Sequence, residues 1–265
     1  MKALILAAGK GQRIRPLTDE VNKCMLLLNG KPILEHVINR CCQVPLIDEI
    51  LIVVGYRAED IINHFGISYY GTKISYIIQR EQKGLVDAIL CAKSMVKESD
   101  FFLLLGDEIV IGSDYEKFIS EAIKKQNICT IGVSSVSDIS LIKKTYTLLH
   151  DESRRVFRLI EKPSRPLNNL IGTGHVLFKN AIFDYIESVL VNPVRGEKEL
   201  PDLIQAAIDA GEKVYYSCLC SHYINVNELA DLKLAEELLI SDQLNRIQED
   251  CTTLANIRYR CQRDK

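Results

Sequence analysis

Short apolar runs alternate with amphipathic stretches along the first half of the chain. Lys2 to Ala8 (KALILAA), Glu49 to Gly55 (EILIVVG), Lys73 to Gln79 (KISYIIQ) and Phe101 to Leu105 (FFLLL) have strand length. They are apolar almost throughout, as strands covered on both faces are. Between them, residues 32–44 (PILEHVINRCCQV), 58–65 and 84–96 carry apolar residues near helical spacing. Pro32 suits a first turn and Gly66 a helix end. Strand and helix recurring at βαβ intervals predict an α/β fold with a doubly wound, mainly parallel but mixed sheet.

The second half is less regular. Residues 113–126, 181–190 and 201–210 read as helices, and 128–134, 173–178 and 213–218 as strands. Residues 146–150 and 155–161 can pair as a hairpin around Asp151-Glu152-Ser153. Residues 228–239 (ELADLKLAEELL) form an amphipathic helix. With no repeat, low-complexity linker or compositional break, residues 1–241 read as one domain and 242–265 as a C-terminal helix or tail.

In such sheets ligands bind outside the carboxyl ends of the strands. There the first run passes into Gly9-Lys10-Gly11-Gln12-Arg13-Ile14-Arg15-Pro16, two glycines and three cations in one turn. Glycines let backbone N–H groups approach phosphate, and Arg13 and Arg15 offer forked donors, with Lys23 a third cation. The ligand implied is a polyphosphate. A dinucleotide fingerprint is not met, because Ile14 stands where its third glycine belongs, which makes a dehydrogenase improbable. The longer G-x-x-x-x-G-K-[ST] loop is absent too. Gly106-Asp107 ends another buried run, placing a carboxylate at the same sheet edge, where a polyphosphate site needs a hard divalent cation. Glu108 beside it reads as solvated.

Composition narrows the setting. With 47% hydrophobic and 26% charged residues the chain is an ordinary globular protein, and a net charge of −2 points to neither nucleic acid nor membrane. No apolar stretch approaches ~20 residues, and no secretory leader pattern precedes the first strand, so a cytoplasmic location is expected. The nine cysteines include no C-x-x-C pair and read as small hydrophobes. Cys24, beside Lys23, is the one expected to have a lowered thiol pKa and sensitivity to oxidation. His36 and His64 lie in helical patterns and read as structural.

LAAGKGQRIRPLT followed by NKCMLLLNGKP resembles the signature of the sugar-phosphate nucleotidyltransferases, with Gln12 in place of a small hydroxyl residue and Asn22 in place of a proline. The resemblance covers roughly residues 1–239 and is strongest up to Asp107. It implies a Rossmann-like fold in which residues 1–110 bind nucleotide and 111–241 the sugar phosphate. It implies a nucleotide site at Leu6, Ala8, Gly9, Gly11, Arg13, Lys23, Gln79 and Gly84. The run from Gln79 to Ala88 resembles the family's base-binding segment, and a glutamine amide can match the imide edge of uracil or thymine. Glu161-Lys162-Pro163 matches the family's E-K-P, implying that Glu161 meets sugar hydroxyls and Lys162 the sugar phosphate. Thr173-Gly174-His175 resembles the sugar-pocket strand, so Gly174 joins that group. Tyr146-Thr147 replaces a tyrosine–glycine pair, and residues 197–202 (EKELPD) resemble a further family segment loosely.

The resemblance further implies Mg²⁺ held by Asp107 and by an aspartate that is here Asn225; Asn227 is a second candidate for that role. Bacterial N-acetylglucosamine-1-phosphate uridylyltransferases are similar in using asparagine. Arg13, Lys23, Asp107 and Lys162 are the expected catalytic residues, and no protein nucleophile is evident. None is needed, since a sugar-1-phosphate is already ionised at neutral pH. The expected reaction joins a nucleoside triphosphate, dTTP or UTP, to a sugar-1-phosphate such as glucose-1-phosphate. Guanylyl or cytidylyl transfer to mannose-, heptose- or choline-type phosphates stays open, as does a sensor of the same fold that has lost turnover. Homo-oligomers are expected only by analogy with relatives.

Overall fold

The computed structural model describes residues 1–192 and 196–244. In chain order the strands are β1 (Lys2–Ala7), β2 (Leu27–Leu28), β3 (Lys31–Pro32), β4 (Glu49–Val54), β5 (Ser68–Tyr69), β6 (Thr72–Ile78) and β7 (Phe101–Leu105). They continue as β8 (Glu108–Ile111), β9 (Cys129–Ser135), β10 (Tyr146–His150), β11 (Arg155–Glu161), β12 (Leu170–Phe178), β13 (Val214–Cys220) and β14 (His222–Asn225). The helices are α1 (Ile33–Cys42), α2 (Ala58–Phe65), α3 (Leu85–Cys91), α4 (Lys93–Val96), α5 (Tyr115–Ile123) and α6 (Leu200–Asp209). A last helix, α7, runs over residues 229–244.

The large sheet has the order β10-β11-β13-β9-β12-β7-β1-β4-β6-β5. Its β7-β1-β4-β6 portion is parallel, and β12 joins it antiparallel to the parallel pair β9 and β13. The architecture is therefore the expected doubly wound, mixed α/β sheet, with antiparallel pairing concentrated in the second half. Leu4, Leu51 and Leu103 pack into one core while Ile5, Ile52 and Leu104 pack into another. Coverage on both faces explains why these strands show no alternation, and each such side chain contributes about 1.5–3 kcal/mol by leaving water.

Several details depart from the sequence reading. The helix expected over 84–96 is two, α3 and α4, with Ala92 between them. Residues 181–190 wind as a 3-10 helix, Asn180–Ser188. Pro32 caps α1 rather than lying in its first turn. The pair β8 and β14 had no sequence signal: each is only four residues long, and they bond to each other outside the large sheet. It matters nonetheless, because it carries a segment from late in the chain to the end of β7. Of residues 242–265, expected as helix or tail, 242–244 continue α7 and 245–265 lie outside the described residues. No helix among the described residues is long and apolar enough to cross a membrane.

Candidate active site

The loop after β1 is shaped by close contacts. Gly11 has φ of 61°, and a Cβ there would lie 2.8 Å from Lys23 Cβ, so both backbone and space require glycine. Thr18 Oγ1 donates to Gly11 O at 2.8 Å. Ile14 is buried and anchors the turn, which is why the third glycine of a dinucleotide loop has no place here. Arg13 points outward, and its Nη2 donates to Asn227 Oδ1 at 2.6 Å. Arg15 does not join the site: it pairs with Asp19 at 3.1 Å in solvent and is absent from the cavity wall.

Asn22, where the family has proline, is fully buried. Its Oδ1 accepts from Cys24 N at 2.8 Å, and its Nδ2 donates to Tyr56 O at 2.7 Å and Ala7 O at 3.2 Å. Two of these bonds tie the loop to the ends of β1 and β4, and the third caps the turn that carries Lys23. Lys23 Nζ lies 2.5 Å from Asp107 Oδ2 and donates to Asn227 Oδ1 at 3.3 Å. The expectation for Cys24 is overturned. Its thiol is sealed in the core, and burial, then the Asp107 charge, push its pKa up despite Lys23.

Asp107 follows β7 after the single residue Gly106, with its side chain 24% exposed at the cavity. Asn225 pairs in register with Glu108, and Val226 N donates to Asp107 O at 3.0 Å, so β14 lays its end beside Asp107. Asn225 Oδ1 is buried with no hydrogen-bond partner among the described residues. Asn227 differs: its Oδ1 accepts from Arg13 and Lys23, and its Nδ2 donates to Asn225 O at 3.3 Å. Of the two asparagines, Asn225 is the one whose side-chain oxygen is unclaimed.

Glu108 is not solvated, contrary to the sequence reading. It is 2% exposed; Tyr223 Oη donates to its Oε1 at 2.5 Å and Gly174 N to its Oε2 at 2.9 Å. His175 Nδ1 lies 3.2 Å from Oε2, and its Nε2 is 2.7 Å from Tyr115 Oη. Burial, then the Glu108 charge, pushes the Tyr223 hydroxyl well above its ordinary pKa, so it stays a donor.

On the far side, β11 ends at Glu161, opposite Tyr146. Lys162 takes a left-handed φ of 44°, and its N donates to Thr145 O at 2.6 Å. Its Nζ stands 3.8 Å from Glu161 Oε1. A Cβ on Gly174 would lie 2.3 Å from Leu105 Cγ, so that position requires glycine. Tyr146 Oη donates to Thr173 O at 2.7 Å, and its ring lies against Gly172. Thr147 turns away from the cavity: its hydroxyl bonds Asn168 Oδ1 and Leu170 O, each at 2.8 Å. Gln79 Nε2 donates to Asp87 Oδ2 at 2.8 Å and to Gly84 O at 3.3 Å.

Apart from Arg15, the residues expected in the nucleotide, sugar-phosphate or metal site all line one cavity of about 560 Å³. Lys144, Gln82, Glu197 and Glu199 line it too. Lys144 had no motif to mark it, being placed by its ion pair with Glu228 at 2.9 Å. Glu197 and Glu199 lay in the loosely matching 197–202 segment. Among the described residues no three His, Cys, Asp or Glu side chains converge as a metal cage. The donor set Asp107 plus the unclaimed Asn225 oxygen suits Mg²⁺ instead, which takes one or two protein ligands and completes its shell with phosphate and water.

Residues 2–223 match the family model described as Nucleotidyl transferase. The chain is 35% identical over 218 residues to a protein of Haloferax volcanii named UTP–glucose-1-phosphate uridylyltransferase AglF, covering 81% of this chain and 86% of that protein. It is 34% identical to the bifunctional protein GlmU of Methanocaldococcus jannaschii, over 92% of this chain but only 55% of GlmU. A solved UDP-glucose pyrophosphorylase complexed with UDP-glucose superposes with a TM-score of 0.79, covering 91% of this chain and 98% of that one at 19% identity. This last likeness is one of fold.

Proposed function

The chain belongs to the nucleotidyl transferase family, and from that premise we propose that it joins a nucleoside triphosphate to a sugar-1-phosphate and releases pyrophosphate. UTP or dTTP with glucose-1-phosphate is the pairing proposed, supported by the name of the Haloferax volcanii relative. The observation that carries the reading is the shared cavity. Its wall carries Arg13, Lys23 and Lys162 together with Asp107, the cations that two polyanions in one site require.

In this reading Arg13, Lys23 and the backbone of the Gly9–Gly11 turn hold the triphosphate, with Gln79 and Gly84 at the base. Lys162 holds the sugar phosphate, and Glu161 and the Gly174 strand take the sugar. An oxygen of the sugar phosphate forms a bond to the α-phosphorus. The bond from that phosphorus to its bridging oxygen breaks, and the electron pair leaves with pyrophosphate. The protein's part is to screen repulsion, align the groups and stabilise developing charge. Asp107 and Asn225 would hold Mg²⁺, which when bound supplies charge neutralisation at phosphoryl oxygens. Asn22 and Thr147, two departures from the family pattern, have bonding duties of their own within the fold.

We further propose that residues 1–241 act as one unit, supported by a sheet that takes strands from both halves. The cytoplasm is the setting proposed, supported by free thiols at all described cysteines. Pyrophosphate release across a grid of nucleoside triphosphates and sugar-1-phosphates, with Mg²⁺, tests the reaction. One active combination supports it and identifies base and sugar. A dark grid from folded, nucleotide-binding protein overturns it.

A further inference from the structure

We propose that Asp87 determines which nucleobases the cavity accepts, by fixing the Gln79 amide so that its carbonyl oxygen is presented to the base. This rests on the reading above that Gln79 meets the base. Gln79 is 4% exposed yet lines the cavity. Its Nε2 carries two hydrogens, and its two contacts are Asp87 Oδ2 at 2.8 Å and Gly84 O at 3.3 Å. A carboxylate and a carbonyl can only accept, so both donors are engaged and the amide has one allowed orientation. Turned over, it would set oxygen against oxygen at both places. The Gln79 carbonyl oxygen has no partner among the described residues and is not sealed from the cavity.

Asp87 is suited to this duty. It lies in the first turn of α3, three residues past Gly84, and its Oδ2 accepts from the Gln79 amide at 2.8 Å. Set against the ring nitrogen of the base's pairing edge, a fixed acceptor requires an N–H there. Uracil and thymine offer N3–H, and guanine offers N1–H. Cytosine N3 and adenine N1 carry lone pairs instead, and either would leave the Gln79 oxygen facing an acceptor in a desolvated site. Asp87 is thus a positioning residue that acts through Gln79.

Calorimetric titration of the full chain with UTP and with CTP tests this in wild type, Asp87→Asn, Asp87→Ala and Gln79→Ala. Wild type is expected to bind UTP at least ~10-fold more tightly than CTP. Both Asp87 variants should narrow that ratio about 10-fold, mainly through tighter CTP, because a released amide can turn an N–H toward cytosine N3. A purely structural Asp87 would weaken both nucleotides together and leave the ratio unchanged; that result overturns the proposal. Gln79→Ala separates the two levels of inference. A ratio untouched by Gln79→Ala removes the premise that Gln79 meets the base. A ratio abolished by Gln79→Ala but kept by both Asp87 variants removes Asp87 alone. Binding is read without turnover, so failure of the proposed reaction shows itself separately.

Discussion

Asn225→Asp places a carboxylate where the chain has an unclaimed amide oxygen. That oxygen is buried; the residue pairs with Glu108 across the β8–β14 ladder, and the next residue, Val226, donates its N–H to Asp107 O. The Lys23 ammonium is already engaged 2.5 Å from Asp107, so without a metal the new charge has no counter-ion of its own. An uncompensated, fully buried charge costs about 3–5 kcal/mol. Asn225 as a residue is half-buried, which reduces this to about 2 kcal/mol. In a domain of this size each kcal/mol shifts Tm by about 2–4 °C, so the variant should melt ~4–8 °C below wild type in EDTA. Millimolar Mg²⁺ should reverse much of that deficit. The added charge strengthens an all-oxygen ligand set, and a cation that binds the native state stabilises it by mass action. Differential scanning calorimetry near neutral pH, with EDTA and then with MgCl₂, reads both effects. Equal Tm values in EDTA would show that the position is not desolvated. A deficit that Mg²⁺ leaves unchanged would show that Asn225 does not face a cation.

Arg13 is exposed and donates to Asn227, so Arg13→Ala should leave Tm within ~2 °C while kcat/KM for pyrophosphate release falls about 10²–10³-fold. Unchanged turnover would remove Arg13 from the triphosphate site. Tyr223→Phe deletes the donor to Glu108 Oε1 and should cost about 1–3 kcal/mol in urea unfolding, because the carboxylate oxygen left behind stays buried. A variant as stable as wild type would mean that water reaches Glu108. At the opposite end of the sheet, burial pushes the Glu49 carboxyl up, but hydrogen bonds from Lys73 and Ser75 and the charge of Lys2 outweigh it. They hold its pKa at about 2 instead of 4.5. A depressed pKa stabilises the fold above about 4.5, and this contribution is lost as pH falls from there toward about 2. With screening allowed for, wild type should lose on the order of 1–2 kcal/mol over that window, and Glu49→Gln should lose little. Parallel pH profiles for the two proteins would refute this.

Much of the chain could be read without its tertiary structure, for local reasons. β1, β4 and β7 are legible because strands covered on both faces are apolar at nearly every position, and no partner need be known to see that. The glycine-rich, basic loop after β1 is legible because glycine spacing and clustered cations are covalent facts, and Asp107 because it follows such a strand after a single glycine. Other assignments depended on distance. Neighbours Asp107 and Glu108 both border the cavity but part ways, because Asp107 stays partly exposed while Glu108 is buried and bonded by Gly174 and Tyr223, 66 and 115 residues away. Arg13 and Arg15 differ because a late segment brings Asn227 to the first and leaves Asp19 to the second. Cys24 stands next to a cation in sequence, but solvation follows the packed core, and burial outweighs a neighbouring charge. Asn225 and Asn227 are indistinguishable as letters two apart; folding leaves one side-chain oxygen buried and unclaimed, and Arg13 and Lys23 claim the other. Backbone periodicity and covalent spacing act over a few residues and are written in the chain. Desolvation and hydrogen-bond pairing act between residues that only folding brings together.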